Sequence, residues 1–139
     1  MGPVEARALF ATARVARLAT VSPDGRPHLV PICFSIEGDR IYTAVDHKPK
    51  RTTRLRRLEN VAANPNVSVL ADRYADDWSS LWWARADGIA RIVTSGEAEH
   101  VRAIALLAQR YPQYTESPPA GPAIIVTVSR WSGWRASGR

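Results

Sequence analysis

Several things are scarce in this sequence. Its 139 residues hold one cysteine (Cys33), one methionine and two phenylalanines. A lone cysteine excludes an internal disulfide and any cysteine-rich zinc site. No stretch approaches the ~18 consecutive apolar residues of a membrane-crossing helix. The opening MGPVEARALFATARVARLAT mixes acids with arginines, unlike the basic-then-apolar layout of a secretion signal. Together these features read as a cytoplasmic protein with no membrane partner. The three histidines, His28, His47 and His100, are scattered, and no HExxH or paired-cysteine string occurs, so no metal centre is expected. Neither GxSxG nor GxxxxGKS/T is present, which removes the nucleophile elbow and the phosphate-cradling glycine loop. Lysine is the most uneven absence. Of nineteen basic residues only two are lysines, Lys48 and Lys50, one residue apart.

What is present is an ordinary globular composition, 45% apolar and 23% charged, of a length that suits one domain over residues 1–139. The net charge is +6 and the sequence pI about 10.2. Such a surface fits either nucleic acid or a small, multiply anionic ligand. Residues 3–13 predict a short helix, with Pro3 in its first turn and Val4, Ala8 and Ala11 on its inner face beside Leu9. Residues 14–22 predict a strand, and Pro23-Asp24-Gly25 a turn, since proline presets a negative φ and glycine supplies a positive one. The return strand, PHLVPICFSIE, places Val30, Ile32, Phe34 and Ile36 on one face and His28, Leu29 and Cys33 on the other, with Pro31 at an edge or bulge. A third strand, residues 40–46, puts Ile41, Thr43 and Val45 on one face. A helix over 51–63 buries Leu55, Leu58 and Ala62. Strand 67–73 follows, and then a strand-rich segment over 78–94, one long strand or a hairpin bent at Asp87-Gly88. A helix over 97–111 turns Val101, Ile104, Ala105 and Ala108 inward, PQYTESPPAGP reads as a loop, and strand 123–131 precedes a polar tail. This order suggests a small antiparallel barrel with helices outside it.

The stretch HKPKRTTRLRR gathers Lys48, Lys50, Arg51 and Arg54 in a loop and the first turn of a helix. Free backbone N–H groups and the positive end of the helix dipole make such a start an anion site. Arg51 and Arg54 there oppose the dipole, at roughly 0.3–1 kcal/mol each, a cost that a bound anion offsets. The run Lys48 to Arg57 contains no aromatic residue, which argues against nucleic acid, where stacking side chains interleave with basic ones. His28 reads as a strand-surface residue, Cys33 as a small buried one, and Asp76-Asp77 as a solvated turn. Trp82 and Trp83 are adjacent and so face opposite sides of a strand, one toward the core and the other toward a surface that a partner covers.

YTAVDHKPKRTTRLRRLENVAANPNVSVL resembles the strand, basic loop, helix, "NP" and strand at the heart of the split-barrel flavin family that includes pyridoxamine 5′-phosphate oxidase. ARVARLATVSPDGRPHLVPICF is similar to that family's opening hairpin, and YADDWSSLWWARADGIARIV to its next strand pair. Within the superfamily the chain looks most like short members that use the deazaflavin coenzyme F-420 in place of FMN. The resemblance covers about residues 13–94 and, more loosely, the remainder.

This resemblance implies an FMN-binding split β-barrel, mainly β with peripheral helices, acting as an oxidoreductase that transfers hydride to a small organic substrate. FMN chemistry of the oxidase type, or cofactor binding without catalysis, are the alternatives. It implies a homodimer with a cofactor at each interface. The phosphate would lie on Lys48, Lys50, Arg51 and Arg54. The ring would lie along Pro31, Ile32, Cys33 and Phe34, which offer mainly backbone groups, with Thr43 and Val45 facing the same groove. Trp78 matches the family's tryptophan near the ring and the partner. Trp131 and Trp134 fall in the region that could serve there. Arg130 and Arg135 lie where pyridoxamine phosphate oxidases hold their substrate's phosphate, but the surrounding pattern is unmatched, which argues against that substrate. No side chain stands out as a catalytic acid or base, as suits a reaction whose chemistry the cofactor carries.

Overall fold

The computed structural model describes residues 1–45 and 51–137, and for residues 51–55 the helical backbone alone. Helix α1 (Pro3–Thr12) leads into strands β1 (Ala16–Val21), β2 (Pro27–Ile32), β3 (Ser35–Glu37) and β4 (Arg40–Ala44). Helix α2 (Arg51–Ala63), strand β5 (Asn66–Arg73), a 3₁₀ turn (Trp78–Ser80) and strand β6 (Trp82–Val93) follow. Helices α3 (Ala98–Arg110) and α4 (Pro112–Glu116) and strand β7 (Ala123–Arg135) complete the chain. All pairings are antiparallel, in the order β2-β1-β5-β6-β7-β4-β3. The predicted mainly-β architecture with helices around it is therefore the observed one.

The turn chemistry acts as expected. Gly25 takes φ +86° between β1 and β2, and Gly38 takes φ +59° between β3 and β4. The expected single return strand is in fact two. It stops at Ile32 and resumes at Ser35, and its halves pair with β1 and β4, at opposite ends of the sheet. Cys33 and Phe34 span this seam, so the end strands are linked covalently and the sheet curls into a split barrel. Pro31 sits on β2, an end strand, where a missing N–H costs no ladder bond on the open side.

Inside lie Leu18, Ile32, Ile41, Val69, Ile124 and Val126, with Ala71, Ala84, Ala86 and Ala90 leaving room for larger neighbours. Phe10 of α1 fills that room. Its ring lies 4.9 Å from Phe34 and 5.2 Å from Trp131. The inner face of α1 is thus Ala6 and Phe10, while Val4 is exposed. On the outer side, α3 covers β4 and β7 through Ala103 and Leu107. Both faces of those strands are therefore buried, which is why AIIV runs without alternation. α3 turns His100, Ala103 and Leu107 inward and leaves Val101 exposed. α2 buries Asn60 and Val61, while Ala62 is exposed.

Arg110 and Tyr111, at the end of α3, tie the seam to α1. The Arg110 guanidinium donates to the carbonyls of Phe34 (3.1 Å), Ala11 (3.1 Å) and Ala13, and lies 4.6 Å over the Phe34 ring. The Tyr111 hydroxyl accepts the Phe34 N–H at 3.1 Å. Burial raises the Tyr111 phenol's pKa, keeping it neutral.

β6 is one continuous strand, not a hairpin, and the expected bend is a bulge in its pairing with β7 at Asp87/Gly88. A Cβ on Gly88 would lie 2.3 Å from the Thr127 carbonyl oxygen. Backbone on the neighbouring strand cannot yield as a side chain would. Gly88→Ala is expected to destabilise the fold by about 3 kcal/mol, the upper end for overpacking, read as a large fall in thermal midpoint.

Candidate functional site

Two concavities among the described residues bear on a ligand site. The first is a groove of about 480 Å³ on the outer face of β1, β5 and β6, with no helix residue among those described in its lining. Residues that point outward from a half-buried strand are normally polar. Here they include Ala19, Leu29, Leu70, Trp83 and Trp134. Leu29 is 66% exposed and Trp134 48%. The charged residues among them are internally paired, Arg17 with Asp72 at 3.2 Å and Arg85 with Asp87 at 3.3 Å. Arg85 also stacks on Trp83, 5.7 Å from the ring centre. A contiguous apolar patch with neutralised charges is the composition of an interface core. Tyr74 lines the groove, and Trp78, 70% exposed, sits on the adjoining 3₁₀ turn. Asp77 shapes that turn by accepting from the Ser79 N–H at 3.0 Å and the Ser79 hydroxyl at 2.7 Å.

The second concavity is a polar cleft of about 820 Å³ between the β1–β2 turn and α2. Ser22, Asp24, Arg26 and His28 face Arg56, Glu59 and Asn60 across it. Asn60 fixes α2 to the barrel by donating to the Thr20 hydroxyl at 3.0 Å, with both groups buried. His28 is not a simple surface residue, because its Nδ1 is buried without a hydrogen-bond partner among the described residues. Burial, and then the charges of Arg56 and Arg57, hold its pKa below the ordinary 6.5. Burial likewise lowers the Arg57 pKa, and its Nε is also buried with no partner among the described residues. Sequence reasoning missed His28, Arg56 and Arg57. The only available signal was the length of the basic run, which continues past the helix start.

The residues expected to touch a ligand are distributed as follows. Lys48 and Lys50, with His47, lie outside the described residues. Arg51 and Arg54 belong to the first turn of α2, where only the backbone is described. Val45 is buried, and its N–H donates to the Pro122 carbonyl at 2.9 Å. Thr43 is buried and donates to the Cys33 carbonyl at 2.7 Å. Ile32 is buried, while Pro31 and Cys33 are exposed, so the reading of Cys33 as a buried residue does not hold. Phe34 is fully buried. Its N–H and carbonyl are engaged by Tyr111 and Arg110, so it supports the seam and presents nothing outward. Along this stretch Pro31 and Cys33 are exposed, and β2 has no strand neighbour on its outer edge among the described residues. Among the described residues no group of three metal-ligating side chains converges.

The family model described as pyridoxamine 5′-phosphate oxidase matches residues 3–135. No curated protein matches the sequence. Among solved structures, a conserved hypothetical protein from Mycobacterium tuberculosis is similar at 25% identity and a TM-score of 0.71, over 97% of this chain and 85% of that one. A FAD-binding protein from Mesorhizobium loti is similar at 19% identity and 0.72, over 96% and 94%. The heme storage protein HutZ from Vibrio cholerae is similar at 16% identity and 0.74, over the whole of both chains. These neighbours on one fold thus include a FAD-binding protein and a heme storage protein, and at these identities they establish the fold alone.

Proposed function

The chain belongs to the pyridoxamine 5′-phosphate oxidase family, and from that premise we propose that it is an oxidoreductase that binds the deazaflavin coenzyme F-420 between two copies of itself and reduces a small organic substrate. The observation that carries this reading is the uncovered apolar groove on the outer face of β1, β5 and β6. A planar cofactor with one anionic end needs an apolar wall and a cationic group. The groove offers the first, and the basic run from Lys48 to Arg57 the second. The apolar face is also the surface that a second copy would cover, which completes the cofactor site from two chains.

The fit can be tested on the residues themselves. The edge of β2, unpaired among the described residues, offers backbone groups to a ring system, and Pro31 and Cys33 stand exposed beside it. Thr43 shapes this wall from behind by holding the Cys33 carbonyl. Trp78 is exposed enough to close over a ring or to reach a partner's. When bound, a deazaflavin supplies hydride from the carbon that replaces the reactive nitrogen of a flavin. Lys48, Lys50, Arg51 and Arg54 would hold its phosphate, and the apolar groove would exclude water from its ring. No described side chain is assigned as proton donor.

The test is a titration of the purified protein with F-420 and with FMN, following tryptophan quenching and the ligand's spectrum. Tight F-420 binding with weak FMN binding supports the proposal. The reverse preference makes this an FMN protein with oxidase-type chemistry. If neither binds, the reading fails. Lys48→Ala with Lys50→Ala is expected to weaken cofactor binding about 100-fold, a loss of ~3 kcal/mol in charge-assisted contacts, with the thermal midpoint of the free protein unchanged. Unaltered affinity would move the phosphate elsewhere.

A further inference from the structure

Among the described residues, three buried polar side-chain atoms have no hydrogen-bond partner: His28 Nδ1, Arg57 Nε and Ser132 Oγ. Native proteins leave few such atoms, and each asks for an explanation. Two of the three occur together, on β2 and on the facing turns of α2. Arg57 is desolvated, yet no carboxylate of the described residues pairs with it or with Arg56. A half-buried cation without a counter-ion is costly, because removal from water is not offset.

The carboxylates nearby do not supply that offset. Asp24 is taken up locally, accepting from the Ser22 hydroxyl and lying 3.8 Å from Arg26. Glu59 lines the mouth of the cleft. Among the described residues, the charges that bear on His28 are those of Arg56 and Arg57. The cleft thus has one guanidinium without a described ion pair in its lining, Arg56, a second, Arg57, close behind it, and a neutral imidazole with an idle nitrogen.

We propose that His28 and Arg56, with Arg57 behind them, form an anion-binding subsite that takes a phosphate or carboxylate group in the cleft between the β1–β2 turn and α2. This goes beyond the cofactor reading, which places the phosphate on the basic loop and the first turn of α2. An anion here would pair with the guanidiniums, which suit planar two-oxygen recognition. It would also turn His28 into a donor by favouring the imidazolium. The anion can be free in solution or the acidic end of a longer ligand.

The experiment follows the His28 imidazole by NMR through a pH titration, with and without saturating inorganic phosphate, alongside the thermal midpoint. Phosphate is expected to raise the His28 titration midpoint by about one pH unit, the effect of a close opposite charge, and to raise the thermal midpoint by ligand linkage. In an Arg56→Met, Arg57→Met double variant both effects should vanish. The unliganded variant should melt no lower than the native protein, since it has lost uncompensated charge. A His28 midpoint indifferent to phosphate would overturn the proposal, as would a phosphate response retained by the double variant. A third arm adds the cofactor first. Loss of the phosphate response then identifies the anion as part of the cofactor, and persistence identifies a separate ion. Failure here leaves the spectral cofactor titration untouched, so the two readings fail separately.

Discussion

In the proposed dimer, replacing Leu29 and Leu70 by glutamate is expected to leave a monomer and to abolish tight cofactor binding. Both leucines stand on the uncovered outer face of the barrel, on β2 and β5. Burying one leucine contributes about 1.5–3 kcal/mol, and a twofold interface meets each substitution twice. The double variant therefore forfeits roughly 6 kcal/mol before any cost of burying carboxylates, about four orders of magnitude in the dimer dissociation constant. In the isolated chain both side chains already face water, so the fold should persist. Sedimentation would read the oligomeric state, circular dichroism the fold, and the cofactor titration the site. A variant that stays dimeric would remove this face as the interface. A monomer that binds cofactor as well as the native protein would show that one chain suffices.

The second large effect is on the fold. Arg110→Met should cost about 4 kcal/mol, because hydrogen bonds to a charged donor contribute ~1.5–3 kcal/mol each and carbonyls left unmet add their own penalty. Three carbonyls lose their donor: Phe34 at the seam, and Ala11 and Ala13 at the end of α1. Tyr111 softens the loss only in part. Its hydroxyl has a single proton, for which the carbonyls of Arg14 and Phe34 compete at 3.0 and 2.9 Å. Chemical denaturation would measure the change. If stability fell by less than about 1 kcal/mol, the range of an exposed contact, Arg110 would be a surface ornament and the seam would be held by Tyr111 alone.

The parts legible in the sequence were those with local causes. The Pro23-Asp24-Gly25 and Gly38 turns were readable because glycine alone tolerates their φ. The strands alternated where one face meets water. The irregular place at Asp87-Gly88 was visible as a glycine inside a strand, but whether it bends the chain or bulges depends on β7, forty residues on. The division of the return strand at Cys33-Phe34 had no local signal either. Both halves continue one alternation, and only their partners differ. The helices deceived for another reason. In chains of alanine and arginine several stripes compete, and burial was decided by groups that seek a specific partner. Asn60 meets Thr20, and His100 lies 2.9 Å from the Gly121 carbonyl through Nε2. The candidate site was legible in part. The resemblance pointed to the seam and the basic loop, while the cleft around His28 depends on α2 crossing a hairpin far from it in sequence.

The position of β7 sets an order of events during synthesis. It is made after every strand it joins, yet it lies between β6 and β4, with Ile124, Ile125 and Val126 wholly buried. Until it emerges from the ribosome, β2-β1-β5-β6 and β4-β3 are two separate sheets, and the edges of β6 and β4 that it will join are open to other chains. Nor can α1, made well before β7, bury Phe10 against Trp131 until then. The nascent chain must therefore hold its central edges unpaired through most of its own translation, the interval in which such edges invite aggregation. The arginines spread along it, which keep it strongly charged, act in that interval as well as in the finished protein.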